Sequence, residues 1–388
     1  MTYFKIAIIF ISVLLTSCSG SKKPTAETSD SSTAMKMPED KLVKVKIGNS
    51  IDDKKQISED EKLLTHQVFT VMGKTGMPAS NDKHDYLSLA PYFWPDPSRK
   101  DGMPYMRKDG EVNPETRNHF TDFNEWNELT DAVGTLCKAY GLSGEKKYLV
   151  QTSNFIKAWF IAPATRMNPN LDYAQGVRGV NNGRQFGIIE FGGIAEILMA
   201  MQQLQNAGEA DAAFTSAFKN WLQDYAGCLQ TSKLGKLEAG ASNNHGTTYD
   251  AQLSNILIYL GEIPELMKLL EQVKIKRIAT QIEPDGKQSE ELSRTRAFSY
   301  SILNLNGLTQ LAILGKKYGV DIWGFETADG RSIKKACDFL IPYLNKSWDY
   351  DQIAAMDASR EKLVAMLKKV GREFGEEKYE VIAEKYKK

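Results

Sequence analysis

The feature that most constrains the fold is a helical spacing of apolar residues that recurs along the chain with only short breaks. Apolar side chains return every three or four positions over 57–72, 125–142, 146–160, 187–204, 210–230, 248–260, 263–278, 295–318, 333–344 and 352–368. That is the period of a helix with one face in a core. Breaks such as Leu142-Ser143-Gly144 and Gly261-Glu262-Ile263-Pro264 favour antiparallel neighbours. Alternating, strand-like stretches are scarce, and no glycine fingerprint of a mononucleotide site follows a strand. So many helix pairs suit either an α/α toroid or a helical-repeat array, and no 34-residue self-similarity is visible. The expectation is an all-α chain, an (α/α) toroid built as an incomplete barrel of antiparallel helix pairs.

The N-terminus reads as an address rather than as part of that fold. Lys5 gives a positive start, residues 6–15 are mostly apolar and too short to span a bilayer, and Leu15-Thr16-Ser17-Cys18 matches a bacterial lipobox. Residues 1–17 are therefore expected to be a lipoprotein signal peptide, with Cys18 lipidated. An ordinary cleaved secretory signal is the competing reading. Residues 18–54, opening on a Ser-, Thr-, Lys- and Pro-rich stretch, read as a flexible tether. The expected product is an exported protein, periplasmic or on the cell surface, held to the outer or inner membrane by its lipid. Residues 55–388 show no further linker and read as one large domain.

Composition excludes some partners. Forty-nine basic residues balance forty-nine acidic ones, so the basic excess of a nucleic-acid binder is missing. Cys137, Cys228 and Cys337 are far apart and odd in number, which argues against a disulfide framework. No clustered Cys/His spacing points to a metal, and no cofactor is expected.

Two long segments interrupt the helices, 77–123 and 167–184. The first carries the run from His84 to Pro97, which includes Tyr92 and Trp94, and then Arg117; the second carries Arg184. Long irregular segments inside a compact domain are usually functional. Aromatic faces beside Arg and Asn are what a carbohydrate needs, because C–H faces stack while hydroxyls and carboxylates take hydrogen bonds. His84, Tyr92, Trp94, Arg117 and Arg184 are candidate substrate contacts on that ground. His119 stands on the same footing as His84, and His66 is expected to be solvated.

Only four histidines occur, and His245 lies in the polar stretch SNNHGTTYD, followed some fifty residues on by Glu291, Arg294 and Tyr300. Amide donors, a fixed cation and two exchangeable protons are the parts needed to take a proton from a carbon next to a carboxylate. In a uronate lyase the C5 proton leaves and the C4 oxygen is expelled. Donors on the carboxylate stabilise the enolate-like charge, while a base faces C5–H and an acid faces the glycosidic oxygen. Tyr300 can act as a base only if nearby cations lower its pKa. Arg296 and Tyr300 are helical i,i+4 neighbours, whereas Arg294 lies six positions away, about 120° off that face unless the helix begins near it. The spacing leaves the choice between Arg294 and Arg296 open.

The ordered blocks Asn243-Asn244-His245, Pro284-Asp285-Gly286, Glu291-Leu292-Ser293-Arg294 and Tyr300 resemble the alginate lyase superfamily of α/α-toroid enzymes. HDYLSLAPYFWPDP followed by GEVNPETRNHF resembles one Bacteroidetes-type branch, polysaccharide lyase family 38, over residues 80–350 or so. The resemblance implies that Asn244 and Arg294 neutralise the carboxylate. It implies that His245 assists there or acts as base, and that Tyr300 is acid, or acid and base. Asn243 and Arg296 join the substrate contacts. The further aromatic and His residues of the older branch are replaced here by Gly246-Thr247-Thr248-Tyr249 and Phe298-Ser299-Tyr300-Ser301, which bears on substrate stereochemistry. The expected activity is β-elimination on an acidic polysaccharide, polymannuronate-type alginate first. The alternatives are a glucuronan lyase, an unsaturated-uronyl hydrolase and a non-catalytic glycan-binding lipoprotein.

Overall fold

Helices α1 (Phe123–Ser143) and α2 (Lys147–Phe160) form the first antiparallel pair of a computed structural model that describes residues 61–387. After them come α3 (Ile194–Asn206), α4 (Ala212–Thr231), α5 (Lys233–Ala239), α6 (Asn244–Leu260) and α7 (Ile263–Val273). The last four are α8 (Ala297–Tyr318), α9 (Ile333–Leu340), α10 (Asp357–Phe374) and α11 (Glu377–Lys385). Successive helices pack on one another, α1 on α2 and α3, α6 on α3, α4, α7 and α8, and α8 on α10, so the helix pairs build the α/α toroid expected from the periodicity. Helices α1, α6, α8 and α10 each end on a left-handed glycine, Gly144, Gly261, Gly319 and Gly375, where a residue without Cβ closes the last turn at no steric cost.

Amphipathic faces supply the core. Trp126 of α1 stacks on Phe191 at 3.8 Å, and Phe160 of α2 meets Trp221 of α4 edge-on at 4.7 Å. Helix α6 is different, because it is buried all round and carries polar side chains inward. Thr247, Asp250, Gln252 and Ser254 are all buried. Such groups cost free energy unless paired, and most are. Gln281 accepts from Thr247 (2.9 Å) and Asn304 (3.0 Å), and its amide donates to the Asn243 carbonyl (3.1 Å). Asn304 also donates to Gln288, whose amide reaches the Ser301 carbonyl. This polar belt ties the N-terminus of α6 to α8.

Several windows depart from their expected helices. Within 57–72 the described part is a single 3-10 turn, Glu61–Thr65, and His66 then stacks on Phe69. Residues 57–60, and with them 1–54 and Cys18, lie outside the described residues. The 187–204 window begins as a 3-10 stretch, Gln185–Gly193, and the 263–278 window ends in a π-helical turn, Lys274–Ile278. Helix α10 starts at Asp357 rather than 352, and α11, beyond the last of these windows, buries Tyr379 completely. The two irregular segments hold four short strands: β1 (Leu87–Leu89), β2 (Phe93–Trp94), β3 (Met106–Arg107) and β4 (Tyr173–Gly176). β1 pairs parallel with β4, and β2 antiparallel with β3. The three cysteines are free, Cys337 buried and the others half-buried.

Candidate active site

The two interrupting segments meet the N-termini of α6 and α8 around a cavity of about 650 Å³. Tyr92, Arg184, Asn243, Asn244, His245, Arg294 and Tyr300 all line it. Trp94, His84, Arg117 and Arg296 are not among its lining residues. On the β2–β3 ladder Phe93 lies opposite Arg107, and successive strand residues point to opposite faces. Phe93 and Arg107 therefore face the cavity, while Trp94 turns away to donate to the Glu111 carbonyl at 3.0 Å. His84 binds the Arg166 carbonyl, and the Arg117 guanidinium lies 3.5 Å from the centre of the Phe123 ring.

Helix α6 begins at Asn244, so Asn244 and His245 occupy its first turn rather than a loop. Asn243 is the N-cap, and its side chain accepts from the His245 N–H at 3.1 Å. Asn244 is completely buried, and both its backbone N–H (2.6 Å) and its side-chain amide (2.8 Å) donate to Glu291. Among the described residues its buried Oδ1 has no hydrogen-bond partner. Burial pushes the Glu291 carboxyl up, against the pull of the Asn244 hydrogen bonds and of Arg294. His245 Nδ1 lies 2.6 Å from Glu238 Oε1 on a buried side chain, an acceptor that, with the ring neutral, selects the tautomer with its proton on Nδ1 and the lone pair on Nε2. Phe186 packs edge-on against the imidazole at 4.8 Å.

The segment before α6 is fixed from behind by Arg277, on the π-helical turn. Its guanidinium donates to the Ala239 and Ala241 carbonyls, each at 2.7 Å, and forms a bidentate pair with Asp250. Gly246 packs directly against it, since a Cβ there would stand 2.3 Å from Arg277 Nη1.

Arg294 lies before α8, whose first residue is Ala297, and its guanidinium rests 4.0 Å from the centre of the Tyr300 ring. Asp109 holds it with two nitrogens, Nη2 at 2.7 Å and Nε at 3.1–3.2 Å, and also takes the Thr295 N–H. Burial raises the Asp109 carboxyl, but these donors outweigh it and hold the group well below the usual carboxylate range. Arg296 is the N-cap residue of α8 and pairs with Gln352 in a β-bridge. Tyr300 OH is 2.6 Å from Tyr92 OH. Burial and that neighbour raise the Tyr300 pKa, and Arg294 opposes them without prevailing, so the hydroxyl keeps its proton. The lowering expected from a nearby cation is present but loses to desolvation.

Sequence reasoning missed Arg107, Gln175 and Phe186 on the wall, and Asp109, Glu238 and Arg277 behind it. Of these, Glu238 left a trace, a carboxylate seven residues before the histidine. Among the described residues, no three His, Cys, Asp or Glu side chains gather as a metal site would require.

Comparison with known proteins agrees with this architecture. An alginate lyase family model matches residues 70–348. An alginate lyase from Bacteroides ovatus superposes with a TM-score of 0.83 at 37% identity, covering 86% of this chain and 89% of its own. Alginate lyase A1-III from Sphingomonas species A1 shares the fold, with a TM-score of 0.53 at 17% identity over 83% of this chain and 86% of its own. A histidine-to-alanine variant of A1-III complexed with tetrasaccharide gives 0.55 at 17% identity, covering 84% and 86%. No curated protein matches. The family match over most of the domain and the 37%-identical relative place the chain: it belongs to the alginate lyase family and is a polysaccharide lyase.

Proposed function

We propose that the protein cleaves alginate by β-elimination, polymannuronate tracts included, with Tyr300 and His245 moving the protons. The observation that supports this most is one cavity that collects a protonated tyrosine, an imidazole with a free Nε2, a buried asparagine and an arginine laid on the tyrosine ring. The solved tetrasaccharide complex of alginate lyase A1-III shows that this fold can hold an oligosaccharide.

Arg294 and the Asn244 amide hydrogen that Glu291 leaves free take the substrate carboxylate, so the charge that develops on removal of C5–H meets fixed donors. His245 Nε2 accepts the C5 proton, and Glu238 stabilises the imidazolium that forms. The C4–O bond breaks as the C4–C5 double bond forms, and Tyr300 delivers its proton to the departing oxygen. Dividing the two transfers keeps each group in its resting protonation state, with no need to ionise a buried phenol first. The test is initial-rate ultraviolet absorbance on polymannuronate, polyguluronate and polyglucuronate, with Tyr300→Phe and His245→Ala beside the wild type. Rising absorbance on alginate that both variants abolish is the expected result. Absorbance from polyglucuronate alone would make this a glucuronan lyase, and no rise on any polymer would sink the reading.

The lipobox Leu15-Thr16-Ser17-Cys18 supports a second part of the proposal, an exported, membrane-anchored lipoprotein in the periplasm or at the cell surface. Palmitate labelling that Cys18→Ala abolishes tests it, and an unlabelled wild type refutes it.

A further inference from the structure

Three guanidiniums, Arg107, Arg184 and Arg294, line one cavity, and they are not equally neutralised. Arg294 and Arg107 share a single carboxylate, Asp109, at 2.7 and 2.6 Å. Glu290, the one carboxylate among the lining residues, is exposed on the short turn Ser289–Leu292. Arg184 has only neutral hydrogen-bond partners among the described residues, the carbonyl of Gln175 (3.1 Å) and its side-chain oxygen (2.9 Å). A half-buried cation without an ion partner is costly to keep, so a counter-charge from a ligand is the natural completion.

The surroundings of Arg184 are built rather than incidental. Its guanidinium stands 5.0 Å from the centre of the Phe93 ring and 4.9 Å from that of Phe186. Phe93 in turn lies directly across the β2–β3 ladder from Arg107, which places both side chains on one face of the sheet. Gln175 is held in the left-handed region at φ +50°, a conformation a side chain bears at a cost and one that clusters at functional sites. Its N–H donates to Ser88 Oγ (2.7 Å), and the Ser88 hydroxyl donates to the buried Glu190 carboxylate (2.6 Å). Arg184 is thus aimed by a chain of contacts that runs back into the core.

We propose that Arg184 and Arg107, on either side of Phe93, form a second anion subsite. It takes the carboxylate of a uronate residue next to the one being cleaved, and Gln175 acts as the positioning residue for Arg184. This rests on the uronate-polymer reading above. The subsite makes the enzyme select for consecutive uronates, because a neutral sugar beside the cleaved one would leave Arg184 unpaired.

The test compares wild type, Arg184→Gln and the more exposed Arg107→Gln on uronate oligosaccharides of graded length, and on the same oligosaccharides with their carboxyls reduced to alcohols. Dissociation constants are measured by calorimetry alongside steady-state rates at several salt concentrations. The expected result is about a tenfold weaker Kd and higher KM in each variant, as for loss of one charge-assisted contact. kcat should stay within about threefold, the salt dependence should become shallower, and binding of the reduced oligosaccharides should be unaffected. A matching fall in kcat with Kd unchanged, or equal losses on charged and reduced ligands, overturns the subsite. If the wild type produces no unsaturated ends from any polymer, the function reading fails, and the Kd comparison still decides the subsite.

Discussion

Replacing Glu238 by Gln isolates what the buried carboxylate does for His245. The two are linked by a 2.6 Å hydrogen bond, and Glu238 is fully buried. Among the described residues its second oxygen has no partner, so the isosteric amide removes the charge from one interaction and leaves the packing alone. A hydrogen bond to an ionised group contributes about 1.5–3 kcal/mol. Applied to the imidazolium that forms during proton abstraction, that corresponds to about ten- to a hundredfold in kcat. If the Gln amide instead rotates to donate to Nδ1, the ring proton moves to Nε2 and the base is lost outright, a loss beyond this range. The assay is the initial rate of ultraviolet absorbance on alginate, with KM and the thermal midpoint measured on the same preparation. The expected outcome is a kcat loss of at least about tenfold with KM changed by less than about threefold and folding retained. Wild-type kcat in Glu238→Gln, or a loss carried entirely by KM, would refute the assignment of His245 as a base set by its Nδ1 partner.

Tyr300→Phe removes the proton donor and should lower kcat by about a hundred- to ten-thousandfold, while calorimetry still detects oligosaccharide binding. Because burial and Tyr92 hold the Tyr300 pKa above its ordinary value, the alkaline limb of kcat/KM should fall above about pH 10; a limb near neutrality assigned to Tyr300 would contradict the geometry. Arg277→Met strands the buried Asp250 carboxylate and two carbonyls, so urea unfolding should show a loss of about 3–5 kcal/mol, which an unchanged midpoint would refute. The depressed Asp109 pKa means that its pairing contributes stability that is fully present above the unfolded value of 3.8 and is lost as pH falls below it. Asp109→Asn should therefore be less stable than wild type at pH 6, and the gap in denaturant midpoint should narrow below about pH 4; a gap that widens in acid has the wrong sign.

Helical period made the toroid legible because most helices bury one apolar stripe. It failed where that premise fails. The start of the 187–204 window, Gly187 to Gly193, is apolar but for Glu190, so period could not separate its 3-10 start from α3. Helix α5 spans just seven residues, too few for a stripe to register. In the site, SNNH and the Arg–Tyr block were readable as local clusters. The residues that aim them were not, because their partners are remote. Asp109 and Arg294 are 185 positions apart, and Tyr92 and Tyr300 are 208 apart. Trp94 drew attention through its aromatic bulk, but pleat parity decides orientation, and it turned Phe93 inward instead. The choice between Arg294 and Arg296 depended on where α8 begins, and helix boundaries are the part that periodicity fixes least well.

That boundary also decides which force holds the substrate carboxylate. Helices α6 and α8 both open toward the cavity, and a helix N-terminus favours an anion by about 0.3–1 kcal/mol. At α6, however, the position is already filled, since Glu291 takes the Asn244 N–H at 2.6 Å and Asn243 caps His245. A substrate carboxylate in the same spot would face Glu291 and gain little from the dipole. Charge-assisted hydrogen bonds, at about 1.5–3 kcal/mol each, outweigh that remnant, which places the binding energy on arginine side chains. Arg294 is pinned by Asp109 and laid on the Tyr300 ring, which on the proposed reading fixes it for the reacting sugar. Arg184, with no carboxylate in hydrogen-bond contact among the described residues, is left for the next one in the proposed subsite. On the proposed reading the helix ends fix Asn244, His245 and Tyr300 in position, and the attraction for the polymer comes from Arg294 before α8 and from Arg184 and Arg107 on the two irregular segments.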